Sequence, residues 1–346
     1  MTVATVKTLL NFVLSGLRRR ESWRRALLRL RVKYVAPQRP RRFPRQLQIE
    51  ATSQCNLRCP TCSHAKEASS GQHLTEERLR RILDGLPWSP EKVILSGIGE
   101  PLMNPQFFSL VDILAERKIQ CEFFTNGTLL TEARRQAVLS RNNIDMVAIS
   151  CDGSQKDTCE NLRVGADFDT WKQSVRDFLL QAHQQRGKTL NTAMNVVISK
   201  RNLDEAGDIL RLAAELGFGH VYVLDPIPLD EIATALCPSD REVSAARQEL
   251  AKAAMGLGLK VTCYFRRDTL VPKATPGCLQ PWEYVFIRAN GDVAPCCALF
   301  GSDRGAVMGN VLEEKFGAIW LGERYREFRR TCLQGTNDLC RICPYY

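Results

Sequence analysis

The sequence contains no hydrophobic run of the roughly 20 residues that a helix needs to cross a lipid bilayer. It shows no secretory signal either, because the first basic cluster, at residues 18–20, follows the N-terminal apolar stretch and no small-residue cleavage site is visible. Its four histidines form no cluster. These absences exclude an integral membrane protein and predict a cytoplasmic one, since the reducing cytoplasm is the default for a chain without an export signal.

Acidic residues are scarce at the N-terminus. The first 45 residues contain thirteen Lys or Arg and a single acid, Glu21, so this segment carries a net charge of +12 and the rest of the chain −2. A nucleic-acid-binding domain would carry its basic surface on the folded body, so we expect no nucleic-acid partner. Residues 1–35 place apolar side chains beside a run of arginines, which is typical of a basic amphipathic helix. Such a helix either packs against the body or contacts a membrane surface that contains anionic lipids.

Cysteine, by contrast, is abundant, with 14 residues in a chain of 346. Closely spaced cysteines in a chain without an export signal are more often metal ligands than disulfide partners. Seven of them fall into two groups with ligand-like spacing, Cys55, Cys59 and Cys62 in the first and Cys278, Cys296, Cys340 and Cys343 in the second. These groups predict two metal-binding sites.

Short β-rich segments alternate with amphipathic helical segments through the middle of the chain. We expect six strands, at residues 47–51, 93–96, 121–125, 146–150, 192–198 and 221–224. Five helices are expected between them, at residues 76–86, 106–117, 132–140, 170–184 and 203–216. Parallel strands need helical crossovers, so the pattern predicts an α/β fold with helices outside a parallel sheet. Since a closed barrel has eight strands, we expect a partial (β/α)6 barrel, with a doubly wound sheet as the alternative.

The first cysteine group follows the first predicted strand directly, at the end where parallel α/β folds place their chemistry. Three thiolates within eight residues can bind three irons of a [4Fe–4S] cluster, which takes four ligands, and one iron then stays open to a small molecule. A structural zinc site is instead closed by four ligands, and His64 could be the fourth. The spacing by itself leaves both metals open.

The spacing of the first group, with three and then two residues between cysteines, resembles the signature of the radical S-adenosylmethionine (SAM) superfamily. Further motifs follow at successive strand ends in the order that this family has. The resemblance implies SAM-pocket positions at Gly97, Gly99, Glu100, Pro101, Thr125, Asn126, Ser150, Asp152 and Arg163. Two positions depart from the family pattern: Ile98 interrupts the usual glycine pair, and Thr61 stands where the family often has an aromatic residue.

The second group surrounds an Asn290-Gly291 hairpin turn, which should bring Cys278 and Cys296 towards each other. The two cysteines near the C-terminus would close the site, and four thiolates can hold a [4Fe–4S] cluster or zinc. The arrangement resembles the auxiliary-cluster domain called SPASM, in particular its shorter twitch form with one cluster. The resemblance implies one auxiliary [4Fe–4S] cluster, with Cys297 and Cys332 as spare thiols that could replace one of the four ligands.

These features predict four segments along the chain. They are a basic amphipathic arm at 1–45, a radical SAM partial barrel at 46–228, a connector with a helix at 229–276, and a small α+β iron–sulfur domain of the twitch/SPASM type at 277–346. Ser239 and Glu242 form a capping-box pattern that would start the connector helix. In the last segment we expect a hairpin that ends at Cys296 and one helix over residues 316–330.

The family resemblance also implies the chemistry. The first cluster would reductively cleave SAM to a 5′-deoxyadenosyl radical, which abstracts hydrogen from an unactivated C–H bond, with flavodoxin or ferredoxin as electron donor. Similar twitch enzymes act on sugars and aminocyclitols, so the resemblance implies a carbohydrate-like substrate, with alcohol oxidation favoured. Radical epimerisation of a sugar or aminoglycoside and maturation of a ribosomal peptide are the alternatives. A zinc-stabilised binding module would require zinc in both sites.

Two further side chains are candidates for catalysis. Cys151, at the end of the fourth predicted strand, could donate hydrogen in an epimerisation, or it could be a packing thiol. Asp225, after the sixth predicted strand, could be a base or a substrate ligand, or it could cap a turn.

Overall fold

The computed structural model describes residues 43–62, 71–228, 230–264, 278–297, 306–337 and 340. Ten strands in these residues form one sheet: β1 (Gln46–Ile49), β2 (Lys92–Leu95), β3 (Gln120–Thr125), β4 (Ile144–Ser150), β5 (Asn191–Val197), β6 (His220–Leu224), β7 (Lys260–Tyr264), β8 (Tyr284–Ile287), β9 (Asp292–Ala294) and β10 (Gly309–Asn310). Their order is β10-β9-β8-β1-β2-β3-β4-β5-β6-β7. Neighbours from β8 through β1 to β7 are parallel, and the β8–β9 and β9–β10 pairs are antiparallel.

Helices connect most of the strands. They are α1 (Glu76–Asp84), α2 (Phe107–Glu116), α3 (Glu132–Leu139), α4 (Lys156–Leu162), α5 (Phe168–Arg186), α6 (Ala206–Leu216), α7 (Glu231–Leu236), α8 (Asp240–Ala254), α9 (Gln280–Glu283), α10 (Phe316–Leu321) and α11 (Glu323–Gln334). The predicted capping box is confirmed, because the Ser239 and Glu242 side chains bond reciprocally to each other's backbone N–H at the start of α8. Such caps satisfy backbone donors that have no partner inside a helix.

Side chains along each strand alternate between the two faces of the sheet, and one of these faces packs against the helices. Leu47, Val93 and Val221 are fully buried and belong to one hydrophobic cluster with side chains of the surrounding helices. Residues that alternate with them on the other face include polar side chains such as Gln48 and Asn195. Since all the parallel strands end at the same edge of the sheet, the loops that carry the predicted motifs meet there.

The predicted α/β class, the six strands and the five helices between them are confirmed. The structure adds parallel strands at both sides of the predicted six, β7 next to β6 and β8 next to β1. The single helix predicted over residues 316–330 is wrong, because α10 and α11 are separate. Gly322 between them has extended backbone, with ψ of 170°, and this conformation ends one helix and starts the next.

The arm predicted at residues 1–45 lies outside the described residues except for its last three. Across the ranges that the structure describes, no helix combines the length and apolarity needed to cross a membrane. The proposed segment boundaries remain predictions. The hairpin strands β8 and β9 nevertheless pair into the same sheet as β1, so the cysteine-rich segment is built onto the barrel.

Candidate metal and cofactor site

Three partly buried cysteines lie on the loop that follows β1, namely Cys55, Cys59 and Cys62. Two N–H groups donate to the Cys55 sulfur, the Leu57 backbone at 3.5 Å and the Asn126 side chain at 4.0 Å. Hydrogen bonds to the sulfurs help to set the potential of an iron–sulfur cluster. Three thiols on one loop, supported by N–H donors, fit three irons of a [4Fe–4S] cluster.

Burial and neighbouring charges set the pKa values of these thiols. Burial raises the pKa of Cys55 above its ordinary value and raises the pKa of Cys59 to about 11. The Arg163 guanidinium lowers both pKa values, whereas the neighbouring thiols raise that of Cys59. Since metal ligation requires the thiolate, cluster binding must release protons from this loop.

Glu100 joins the loop after β2 to the end of β3. Its buried carboxylate accepts hydrogen bonds from Thr125 Oγ1 at 2.7 Å, from Asn126 N at 2.6 Å and from Leu102 N at 3.1 Å. Burial raises the pKa of Glu100, although these donors favour its carboxylate form. Pro101, also buried, starts the short turn that follows. The structure therefore brings four of the predicted SAM-pocket residues together.

The two glycines of this loop permit close packing against the residues after β1. A Cβ added at Gly99 would lie 2.3 Å from Gln54 O and 2.4 Å from Thr52 O, and one at Gly97 would lie 2.5 Å from the Glu50 side chain. Gly99 N donates to Thr52 O at 3.2 Å. The Gly-x-Gly spacing thus holds the predicted SAM loop against the start of the cysteine loop.

Glu50 is a buried residue at this junction that the sequence reasoning missed. Its carboxylate accepts hydrogen bonds from Ile98 N at 3.2 Å and from Ala289 N at 3.3 Å. Burial raises its pKa, and the nearby Arg288 lowers it. One side chain therefore links the predicted SAM loop to the end of β8. The available signal was an acid inside the strand predicted at residues 47–51, between the apolar Ile49 and Ala51.

Asp152 and Arg163 form a buried ion pair at the end of β4. Arg163 Nε lies 2.9 Å from Asp152 Oδ2, and Asp152 Oδ1 accepts a hydrogen bond from Val197 N at 2.7 Å. Burial lowers the pKa of Arg163, but Asp152 and the Cys59 thiol outweigh it, and the pKa is raised overall. Arg163 therefore keeps its positive charge beside the cysteine loop. Its position in the SAM pocket remains a prediction, as do the other SAM-pocket assignments.

The remaining candidates lie at two strand ends. Ser150 is partly exposed at the end of β4, whereas the next residue, Cys151, is fully buried and its thiol donates to Gly153 O at 3.2 Å. This environment favours packing for Cys151 over hydrogen donation. Asp225 follows β6, buried and close to Cys263. The catalytic roles of Cys151 and Asp225 remain predictions.

A second group of thiols lies beside the hairpin of β8 and β9. Cys332, in the last turn of α11, has a raised pKa because of the Cys340 thiol, its burial and the charges of Cys278 and Cys296. The pKa of Cys332, predicted as a spare thiol, therefore responds to three predicted ligands of the auxiliary cluster. Cys343 lies outside the described residues, and its assignment remains a prediction.

The other spare thiol, Cys297, has different neighbours. The Tyr284 phenol donates to Gln48 Oε1, and burial, followed by the Cys297 thiol, raises the pKa of Tyr284. Tyr284, Phe286 and Ala294 form a small cluster apart from the main core, and Cys297 packs against it. Cys297 therefore faces the barrel strands although it follows Cys296 in the chain.

Within the part of the chain that the structure describes, neither thiol group has the geometry of a one-metal site. Among the described residues, no three His, Cys, Asp or Glu side chains converge closely enough to hold one metal ion. The thiolates of a [4Fe–4S] cluster each bind a different iron, so they need not meet at one point. His64, the fourth ligand in the zinc alternative, lies outside the described residues.

Comparison with known families gives two matches along the chain. Residues 49–213 match the radical SAM superfamily, and residues 278–344 match the SPASM family, described as an iron–sulfur cluster-binding domain. The first match runs from the end of β1 into α6 and includes the loops that carry Cys55, Glu100 and Arg163. The second contains all four predicted ligands of the auxiliary cluster. Together they indicate a [4Fe–4S] cluster, SAM and an auxiliary cluster as cofactors.

Individual relatives are similar over most of the chain. The AdoMet-dependent heme synthase of Methanosarcina barkeri is 28% identical over 87% of this chain and 89% of its own length. The PqqA peptide cyclase of Streptomyces rochei is 27% identical over 87% of this chain and 82% of its own length. Among solved structures, Streptococcus suis SuiB with S-adenosylmethionine bound has a TM-score of 0.69 at 16% identity, covering 99% of this chain and 83% of that one. This last likeness shows the fold.

Proposed function

Because the chain belongs to the radical SAM superfamily and carries a C-terminal SPASM domain, we propose that it is an enzyme that modifies a peptide at an unactivated C–H bond. The observation that supports a peptide substrate is the similarity to the S. rochei peptide cyclase, which extends over 87% of this chain. Similarity of that extent includes residues outside the SAM-cleaving core. The regions of the two proteins that recognise the substrate can therefore be related, as well as those that bind the cofactors.

In this proposal the residues around the first site hold and orient the cofactors. When bound, the cluster and SAM supply a 5′-deoxyadenosyl radical that takes hydrogen from the substrate. Cys55, Cys59 and Cys62 would bind three irons. Glu100 orients the two loops next to them through its hydrogen bonds to Thr125 Oγ1 and to backbone N–H groups. Flavodoxin or ferredoxin remains the proposed electron donor.

Charge pairing beside the cysteine loop supports a peptide over a substrate with several carboxylates. Arg163 contacts Asp152 at 2.9 Å. This cation is already neutralised by a protein carboxylate. Partly exposed polar side chains such as Ser150 and Asn195 instead suit hydrogen bonds to peptide amides. The comparisons do not support the carbohydrate-like substrate that the twitch resemblance implied.

A propionate-bearing tetrapyrrole is the second candidate substrate. It is favoured by the similarity to the M. barkeri heme synthase, which at 28% identity covers 89% of that protein. Both candidates use the same first step, the cleavage of SAM. They are therefore distinguished by which compound transfers hydrogen to 5′-deoxyadenosine.

The test is the transfer of substrate hydrogen into 5′-deoxyadenosine. Anaerobically reconstituted protein would receive dithionite, SAM and either short peptides encoded beside its gene, an iron porphyrin with propionates, or an aminocyclitol. We expect 5′-deoxyadenosine and a mass loss or cross-link in a peptide. Product from the porphyrin or aminocyclitol alone would overturn the peptide proposal.

Two matched variants separate chemistry from folding. Cys59→Ala should abolish 5′-deoxyadenosine formation with every substrate and reduce bound iron from about eight to about four per chain. Cys121→Ala, in the core position of β3 with no exposure, should keep both clusters and activity. Activity in Cys59→Ala would contradict the assignment of the SAM-cleaving site.

A further inference from the structure

We infer that Glu50 is a positioning residue that couples the hairpin of the iron–sulfur domain to the predicted SAM loop, so that SAM binds tightly only when the hairpin is in place. The hairpin consists of β8, β9 and the turn between them, and the predicted SAM loop consists of residues 97–101. Glu50 lies between the two, directly after β1, and is 4% exposed. The inference concerns cofactor binding and does not depend on which substrate the enzyme modifies.

The carboxylate of Glu50 contacts both segments, with one oxygen for each. Oε1 accepts a hydrogen bond from Ile98 N at 3.2 Å, in the SAM loop, and Oε2 accepts one from Ala289 N at 3.3 Å, after β8. The Glu50 N–H also donates to Ile287 O at 2.8 Å. A carboxylate has two acceptor oxygens and no donor, so it suits two N–H groups that converge on it from different segments.

On one side, the predicted SAM loop lies directly on the Glu50 side chain. A Cβ added at Gly97 would be 2.5 Å from Glu50 Cγ and 2.7 Å from Oε1. The same loop continues to Glu100, whose carboxylate accepts from Asn126 N at 2.6 Å and whose N–H donates to Gln54 O at 2.7 Å. A displacement of the Glu50 carboxylate would therefore reach the residues beside the cysteine loop through packed atoms and hydrogen bonds.

On the other side, the turn of the hairpin is fixed by the iron–sulfur domain. Gly291 has a left-handed backbone with φ of 92°, and a Cβ there would lie 2.6 Å from Asn310 Oδ1. Asn310, on β10, donates through Nδ2 to Asn290 O at 3.1 Å. After the turn, β9 leads towards Cys296, a predicted ligand of the auxiliary cluster. The position of the Ala289 N–H thus depends on how this domain is folded, and Glu50 transmits that position to the SAM loop.

The test is a double-mutant cycle of Glu50→Gln and Gly291→Ala in the full, anaerobically reconstituted chain, with the SAM dissociation constant measured by calorimetric titration. Glutamine has one acceptor oxygen, so it can serve only one of the two N–H groups, and the added Cβ at position 291 displaces the turn. Each single substitution should raise the dissociation constant about tenfold, as expected for one lost hydrogen bond to a charged group. In the Glu50→Gln background, Gly291→Ala should add less than about a twofold change.

Hydrogen exchange measured by mass spectrometry gives a second readout, because coupling between two sites is reciprocal. SAM should slow the exchange of residues 284–291 in the wild-type protein and not in Glu50→Gln. Glu122→Gln is the control for loss of a buried carboxylate, since Glu122 lies near the opposite end of β3 from Thr125 and Lys92 keeps its contact with Asp145 at 2.9 Å. This control should keep wild-type SAM affinity and wild-type protection.

The inference is overturned if the two substitutions have additive effects on SAM affinity, or if Glu50→Gln binds SAM as tightly as wild type. It is also overturned if SAM fails to protect the hairpin in wild type or still protects it in Glu50→Gln. Iron content and far-UV circular dichroism report whether Gly291→Ala folds. If it does not, the exchange measurement on the near-isosteric Glu50→Gln decides, with lost protection supporting the coupling and retained protection overturning it.

Discussion

Replacing Gly99 by alanine tests the idea that the loop after β2 must pack directly on the start of the cysteine loop. The added Cβ would lie 2.3 Å from Gln54 O, 2.4 Å from Thr52 O and 2.8 Å from Gln54 N. All three are backbone atoms, so none can rotate away. The loop must shift, and the shift strains two hydrogen bonds, from Gly99 N to Thr52 O at 3.2 Å and from Glu100 N to Gln54 O at 2.7 Å.

The size of the effect follows from these contacts. Overpacking costs about 1–3 kcal/mol, and each hydrogen bond lost adds about 1 kcal/mol. Holding the variant in the wild-type loop conformation therefore costs about 3–5 kcal/mol. If SAM binds only that conformation, its dissociation constant rises by about two to four orders of magnitude.

Calorimetric titration of SAM into the anaerobically reconstituted protein measures this change, with the iron content checked beforehand so that cluster loss is not mistaken for weak binding. The formation of 5′-deoxyadenosine with dithionite provides a second readout. Gly317→Ala in α10 is the matched control, since no described atom lies within 4 Å of the added Cβ and alanine favours a helix interior by about 1 kcal/mol. Wild-type SAM affinity and melting temperature in Gly99→Ala would refute the reasoning.

Three further predictions concern charged side chains. Arg163→Met leaves the buried Asp152 unpaired and should cost about 3–5 kcal/mol; the thermal midpoint falls, and adding Asp152→Asn should recover part of the loss. Glu50→Gln should gain stability relative to wild type as pH rises from 4.5 through the raised Glu50 pKa, because the folded state favours the protonated acid. A difference in unfolding free energy between variant and wild type that stays constant with pH would contradict this. Glu91→Gln should change the free energy of unfolding by less than about 1 kcal/mol, because its Arg45 partner is 68% exposed, and a larger loss in denaturant titration would count against it.

The proposed substrate shows that motif spacing and similarity along the whole chain carry different information about an enzyme. The spacing of Cys278, Cys296 and the C-terminal cysteines resembled sugar-modifying twitch enzymes, because it reflects how many clusters are bound. Similarity along the whole chain includes the barrel and its loops, and the peptide cyclase match covers 87% of this chain. Cluster count constrains the redox chemistry, whereas the surfaces around the site select the substrate.

The sequence by itself determined the elements and the site of the chemistry. Alternating short apolar segments and amphipathic helices predicted the parallel sheet, since these periodicities are local. The loop Cys55–Cys62 and the loop after β2 were also predictable, because each motif lies within a few residues and parallel strands end at a common edge. The Gly-x-Gly motif also indicates that position 99 requires glycine, before any contact of that residue is known.

Tertiary structure decided which distant side chains meet. Glu50 and Ala289 are 239 residues apart in the chain, and they pair only because β8 lies beside β1. Arg329 and Pro281 are 48 residues apart in the chain, and the buried guanidinium donates to Pro281 O at 2.9 Å only because α11 packs against α9. Local patterns specify strands and helices, but the meeting of such residues depends on strand order and helix packing, which no single stretch of sequence encodes.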